Sequence, residues 1–295
     1  MRVVKAVVHH SFGGPEVLEL AELPEPKTHV DSVLVRVKAA AVNPADLGMR
    51  AGALAGAIDT YFPVVPGWDI AGIVERAGLG APEFTPGDEV IGYLRGDVQH
   101  RHGAYAEKAA ADVRTLVRKP RTLSWAEAAA LPLAGLTAYQ AVVHALRIAQ
   151  GETLLVHGAA GGVGSLAVQI ARSRGAHVLG TASLDDHDYL RTLGVEPVTS
   201  FTGRADAVLD TVGRGALAGT AAGVRTASIA EFTRPGVVPV FARLDHADLL
   251  ALADLADAGE LKVRVARTFR LEDAELAHRA VAAGHTKGKV VLAIS

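Results

Sequence analysis

The chain has 295 residues, 49% of them hydrophobic, with 30 Lys and Arg against 32 Asp and Glu and a formal net charge of -2. That length exceeds the ~100–200 residues usual for one domain, so two domains or one large α/β domain are expected, and the balanced charge points away from disorder and from a nucleic-acid surface. There are no cysteines, which removes disulfides, thiolate metal sites and cysteine nucleophiles together.

The opening run MRVVKAVVHH is interrupted at Lys5 and His9. Neither a signal segment nor a membrane span of ~20 apolar residues fits it, and a soluble cytoplasmic protein with no membrane partner is the expectation. The first third then reads as short β-type runs, KAVVHH, VLELAELP, SVLVRVKAAAV, DIAGIVERAG and DEVIGYL, separated by Pro/Gly turns. Val33, Val35 and Val37 stand against polar Ser32, Arg36 and Lys38, as in a half-buried strand of an antiparallel β domain.

From Ser124 the texture changes. SWAEAAALPLAGLTAYQAVVHAL is alanine-rich with helical spacing, and Ser124 with Glu127 makes a capping box. Strands and helices then alternate: strand Thr153 to His157, helix Gly162 to Arg174, strand His177 to Ala182, helix Asp186 to Leu193, then the strand ADAVLDTV. This is the pattern of a doubly wound, Rossmann-type parallel sheet. The last stretch, LKVRVARTFRLEDAELAHRAVAAGHTKGKVVLAIS, returns to β-type runs around one amphipathic helix. The predicted division is 1–118 with 262–295 returning to it, and 119–261 as the dinucleotide-binding domain.

Ala159, Gly161 and Gly164 occupy the three positions of a G-x-G-x-x-G turn, with Gly162 and Val163 between the last two. The turn follows an apolar strand and opens a helix, where backbone N–H groups can face a pyrophosphate. Gly161 would admit the phosphates and Gly164 would let the helix pack on the strand; the alternative is a tight turn with no ligand. The second strand ends in Thr181-Ala182-Ser183, where a domain preferring NAD places Asp or Glu on the ribose. An acid there would oppose a 2′-phosphate by about 4 kcal/mol at 4 Å. Its absence points to NADP(H), with Asp185 and Asp186 as alternative ribose partners and His187, Lys287 and Lys289 as cations for a phosphate.

Taken together, FGGPEVLEL, AAAVNPADLGMRAG, VPGWDIAGIVERAG, TPGDEVIGY, GAYAEKAAAD, AAALPLAGLTAYQAV, HGAAGGVGSLAVQIA, ADAVLDTVG and TKGKVVL resemble the zinc-independent, quinone-oxidoreductase branch of the medium-chain dehydrogenase/reductase superfamily nearly end to end. The resemblance implies an α/β chain with a GroES-like β-rich domain, a doubly wound Rossmann domain, a cleft between them and a homodimer. It implies an oxidoreductase that passes a hydride from NADPH to a small electrophilic acceptor, a quinone or an α,β-unsaturated carbonyl compound. A tailoring reductase of one specialised metabolite, or a cofactor-binding protein with little turnover, are the alternatives.

Zinc-dependent relatives use a cysteine where this chain has Asn43, a histidine where it has Trp68, and a cysteine close to Leu133; no metal is expected. His9, His10, His100 and His102 are the only other metal candidates and read as solvated histidines. The resemblance places Thr137 near the nicotinamide, with Pro132 and Leu133 along its ring. Asn43 and Asp46 either bind a substrate carbonyl or form a turn and helix cap. Trp68 is either a pocket wall or core. Asp210 either sits at a strand end beside the cofactor or caps a helix or turn there, and Ser228 with Ile229, after the next strand, is placed to touch the nicotinamide ribose. Tyr61, Tyr93, Tyr105 and Tyr139 are candidate proton donors, with Tyr105 reading as packing.

Overall fold

The computed structural model describes residues 2–56, 59–94, 102–201, 203–221, 223–284 and 286–295. The chain divides into two compact units: Met1–Leu133, Leu244–Ala253 and Val265–Ser295 form unit 1, and Ala134–Arg243 with Asp254–Arg264 form unit 2. Among the described residues no helix is long and apolar enough to cross a membrane.

In unit 1, β1 (Val3–Val8) pairs antiparallel with β2 (Glu19–Pro24). A second sheet runs β14-β15-β3-β4-β5-β7, made of Val265–Arg270, Lys289–Ala293, Ser32–Val42, Asp69–Ala77, Glu89–Tyr93 and Leu116–Arg118, with β6 (Lys108–Asp112) also on β3. All its pairs are antiparallel except β14 with β15. The half-buried pattern expected of β3 holds at Arg36 and Lys38, which are part-exposed between buried Val35 and Val37, and fails at Ser32, which is buried together with Leu34.

The helical run expected from Ser124 breaks. The capping box forms, with Ser124 N–H donating to Glu127 Oε2 at 2.9 Å and Glu127 N–H to Ser124 Oγ at 3.3 Å. The helix Trp125–Ala129 stops before Pro132, which opens a second helix, Pro132–Tyr139; proline has no N–H to carry the first helix on and is at home at the start of the next. The first of these helices packs on β3 and β4, which is why unit 1 reaches to Leu133 and not only to Arg118.

Unit 2 is built on six parallel strands in the order β10-β9-β8-β11-β12-β13, where β8 is Thr153–His157, β9 His177–Thr181, β10 Glu196–Val198, β11 Ala207–Asp210, β12 Arg225–Ser228 and β13 Val237–Pro239. Written from the first strand of this sheet the order is 3-2-1-4-5-6, and the topological switch lies between β8 and β11, where open α/β sheets hold their ligands. The helix Gly164–Ser173 follows β8 and buries Leu166, Ala167, Val168, Ile170 and Ala171.

Candidate functional site

At the switch point the chain leaves β8 through Gly158, whose φ of +74° favours glycine. A Cβ on Gly158 would meet Val212 Cγ2 at 2.5 Å and Thr211 Oγ1 at 2.7 Å, so the loops after β8 and β11 close on each other there. Gly164 is fixed by packing, since a Cβ would stand 2.2 Å from the Gly158 carbonyl oxygen. Gly161 is different: its Cβ would meet only that same oxygen, at 3.2 Å, and otherwise faces open space. Packing explains Gly164, whereas the open face at Gly161 fits a ligand group. Ala159 takes the first glycine position at no cost, fully buried with its N–H on the Thr181 carbonyl at 3.0 Å. The expected cofactor loop, Ala159 through Gly164, thus has the form a dinucleotide needs.

The strand ends around it are tied together by side chains. Thr181 Oγ1 accepts from Gly158 N–H at 3.2 Å. Asp210 Oδ1 accepts from Val212 and Gly213 N–H, both at 2.9 Å, and Asp210 Oδ2 from Ser228 Oγ at 2.8 Å. Ser228 Oγ in turn accepts from Ala230 and Glu231 N–H at 3.0 and 2.8 Å. Asp210 and Ser228 are both fully buried and cap the loops at these strand ends: for Asp210 this is the turn role open to it, whereas for Ser228, expected on the nicotinamide ribose, the capping bonds were not anticipated.

Past β9, Ser183 Oγ donates to Asp186 Oδ2 at 3.1 Å, and Asp186 Oδ1 pairs with Arg264 Nη1 at 3.2 Å. Arg264 also lies over the Tyr189 ring at 4.1 Å. Both Asp186 oxygens are engaged, and a cation stands where the sequence showed none. Arg264 was missed because it is 78 residues from Asp186, inside a stretch whose pattern signals only β structure. Thr137 is nearly buried on the helix Pro132–Tyr139.

Lys289, expected among the phosphate cations, is engaged within its own unit. It belongs to unit 1, is buried, and its ammonium donates to Asn43 Oδ1 while facing Asp69 and Asp46. An ammonium held this way is not available to a phosphate. Asn43 Nδ2 donates to Asp69 Oδ2 at 2.9 Å, Leu133 N–H to Asp69 Oδ1 at 2.7 Å, and Asn43 N–H to Asp46 Oδ2 at 2.7 Å. Burial pushes the Asp69 carboxyl up to about 6 and the Asp46 carboxyl to about 7, the neighbouring Asp69 charge adding to the second. Asn43 and Asp46 therefore form the turn and cap, and in addition a buried polar cluster. Trp68 is core, tilted against Tyr93 with ring centroids 5.9 Å apart.

The residues at the positions used by zinc-dependent relatives do not fit a zinc ion. Asn43 is spent between Asp69 and an ammonium, Trp68 offers only an indole, and Leu133 offers no donor side chain. Among the described residues no group of three or more His, Asp or Glu is placed to hold a metal; His100 lies outside the described residues.

A family model described as an alcohol dehydrogenase GroES-like domain matches residues 29–121, and one described as a zinc-binding dehydrogenase matches residues 185–292. A solved structure described as an NAD-dependent alcohol dehydrogenase is 34% identical, with a TM-score of 0.88 over 99% of this chain and 100% of that one. The chain belongs to the medium-chain dehydrogenase/reductase superfamily. Within it, the quinone oxidoreductase of Homo sapiens is 39% identical over 188 residues, 63% of this chain and 54% of that protein. The NADPH-dependent alkenal/one oxidoreductase of Arabidopsis thaliana is 35% identical over 226 residues, 71% of this chain and 58% of that protein. The chain thus spans about half the length of the curated relatives it matches.

Proposed function

We propose that this protein is an NADPH-dependent reductase that transfers hydride to a quinone or an α,β-unsaturated carbonyl compound without a zinc ion. The observations that carry the reading are the replacement of a metal donor set by Asn43, Trp68 and Leu133 in unit 1 and, in unit 2, a glycine turn whose Gly161 faces open space. Without a zinc ion, alcohol oxidation loses the Lewis acid that polarises the oxygen in zinc-dependent relatives, whereas an activated double bond accepts hydride without one. The names of the Homo sapiens and Arabidopsis relatives support the same acceptor classes.

The bound cofactor supplies a hydride from C4 of its nicotinamide. The chain's own residues would orient it: the Ala159–Gly164 turn would take the pyrophosphate, Thr137 would serve the nicotinamide, and Thr181, Ser183 and Arg264 would hold the adenosine ribose. Orientation of this kind contributes as much as ~7–11 kcal/mol to a barrier. Arg264 supports a 2′-phosphate and therefore NADPH, since Asp186 is already neutralised by it.

The protein acts as a cytoplasmic homodimer on a small molecule, with no nucleic-acid or membrane partner. The edge strand β13 supports the dimer, because it ends the sheet next to an exposed stacked pair, Phe232 and Phe241, 44% and 58% exposed, an apolar surface suited to a second copy. Parallel fluorescence titrations with NADPH and NADH test the cofactor assignment: tighter NADPH binding is expected, and tighter NADH binding would mean that Asp186, not Arg264, governs the ribose.

A further inference from the structure

Arg264 is held beside the loop past β9 by supports that neither the glycine turn nor the strand order requires. Shortly before it in the chain, Lys262 is clamped through its main chain: its N–H donates to Gln169 Oε1 at 2.8 Å and its carbonyl accepts from Gln169 Nε2 at 2.9 Å. Gln169 is buried on the helix Gly164–Ser173, and Val263, between the clamp and Arg264, is buried as well. The Arg264 guanidinium then lies 4.1 Å from the centre of the Tyr189 ring, with Nη1 3.2 Å from Asp186 Oδ1. The Tyr189 hydroxyl faces Ser165, in the first turn of that same helix. All of these residues belong to unit 2. The helix opened by the glycine turn therefore fixes this guanidinium twice, through the Gln169 clamp on its backbone and through the tyrosine under its side chain.

Asp186 stands about twenty residues beyond the glycines, the spacing at which a dinucleotide domain places an acid on the ribose hydroxyls. Here that carboxylate is occupied. Its Oδ2 accepts from Ser183 Oγ at 3.1 Å and its Oδ1 from Arg264. Arginine carries five N–H donors and no acceptor. Arg264 gives one of them to Asp186, and its side chain is still 27% exposed, which leaves the rest of a planar fork to face a second anion. An exposed ion pair by itself adds little stability, so the clamp and the stacked ring are best accounted for by what the positioned guanidinium can bind.

We propose that Asp186 and Arg264 form an exchange pair that sets the choice of cofactor, with Tyr189 and Gln169 as positioning residues. The inference rests on the reading of unit 2 as an NADPH-binding domain. A 2′-phosphate, with a charge of about −1.5 to −2, attracts the fork more strongly than the single carboxylate does. A ribose 2′-hydroxyl instead needs an acceptor, and Asp186 is closed to it by Ser183 and Arg264. NADPH is thus favoured twice, by a guanidinium held ready and by an acid withheld from NADH. Removing the guanidinium should weaken NADPH and at the same time open Asp186 to NADH. Neutralising the acid should do the reverse, since it removes a like charge beside the phosphate.

Isothermal titration calorimetry on the full chain at one fixed ionic strength tests this with NADH and with two probes that carry no nicotinamide, adenosine 2′,5′-bisphosphate and AMP. The wild-type protein should bind the bisphosphate more tightly than AMP. Arg264→Gln should weaken the bisphosphate on the order of 10²-fold, leave AMP within about twofold, and tighten NADH. Asp186→Asn should tighten the bisphosphate. Tyr189→Leu should weaken the bisphosphate roughly 3–30-fold, the worth of a cation–π contact, whereas Tyr189→Phe keeps the ring and should bind as wild type does. Equal losses in the two tyrosine variants, or an equal loss for AMP, would overturn the positioning role. No loss of bisphosphate binding or no gain of NADH in Arg264→Gln overturns the exchange pair. So does a wild-type protein that binds AMP as tightly as the bisphosphate, and these results leave the acceptor reading standing. A wild-type protein that binds neither probe and neither dinucleotide sinks the dinucleotide reading itself, and the exchange pair with it.

Discussion

Gly161 and Gly164 share one turn and answer to different constraints. Gly164→Val would drive side-chain atoms into the Gly158 carbonyl, 2.2 Å from the ideal Cβ, and should cost about 1–3 kcal/mol of stability or more by overpacking. Gly161→Val meets only one contact, at 3.2 Å, so it should fold with a near-native melting temperature while losing cofactor binding; unchanged binding would refute the assigned loop. With the ribose held as proposed, Ser183→Asp would put a carboxylate beside it and should weaken NADPH by up to about a thousandfold with a far smaller effect on NADH, as read by fluorescence titration. Equal effects on both would place the 2′-phosphate elsewhere. His278, fully buried with Nδ1 2.8 Å from Arg50 Nη1, links stability to pH, and His278→Gln tests that link. The native His278 stays unprotonated down to about 3 while the unfolded histidine titrates near 6.5. The unfolded state thus binds more protons between these values, and His278 contributes stability that is lost as pH falls through that window. Urea melts of wild type and His278→Gln should diverge with a slope of up to about 1.4 kcal/mol per pH unit there and run parallel above it. The form of the glycine turn was legible because residues adjacent in sequence set it. The fate of Lys289 and the presence of Arg264 were not, because each is set by a partner far along the chain.

At the scale of elements, the alternation of apolar strands and amphipathic helices marked β8, β9 and the helix between them to within a residue or two. Two features escaped that reading. Pro132 splits what looked like one alanine-rich helix, and the crossover from β10 to β11 spans only residues 199–206, shorter than the dozen or more residues usual for a parallel connection. On that side of the sheet Leu155, Val208 and Leu217 form a buried cluster with Leu179, Val198, Phe201 and Val224 packed against it, beside a groove of about 800 Å³. Leu217 comes from the connection between β11 and β12, yet it is fully buried, so it holds the sheet as a helix side chain ordinarily would. Leu217→Ala should therefore cost about 2–5 kcal/mol in urea melts; a loss within ~0.5 kcal/mol would mean that the face is not closed by this residue.

At the scale of the whole molecule, the resemblance carried by short blocks along the chain identified the family that the matched family models and the solved relative define. Composition alone could not have done so, because near-neutral charge and an absence of cysteine only remove alternatives. The proposed homodimer makes a prediction of its own: Phe241→Lys introduces a charge into the exposed aromatic stack beside β13 and should shift the protein toward monomer in analytical ultracentrifugation, whereas an unchanged sedimentation coefficient would place the interface elsewhere. The central claim, hydride transfer from NADPH to an activated acceptor without zinc, is tested most directly by following NADPH absorbance with the purified chain, naphthoquinone and a strong metal chelator. Oxidation that depends on both protein and quinone and is untouched by the chelator is the predicted result. No quinone-dependent oxidation at saturating NADPH, or its abolition by the chelator, would contradict the account.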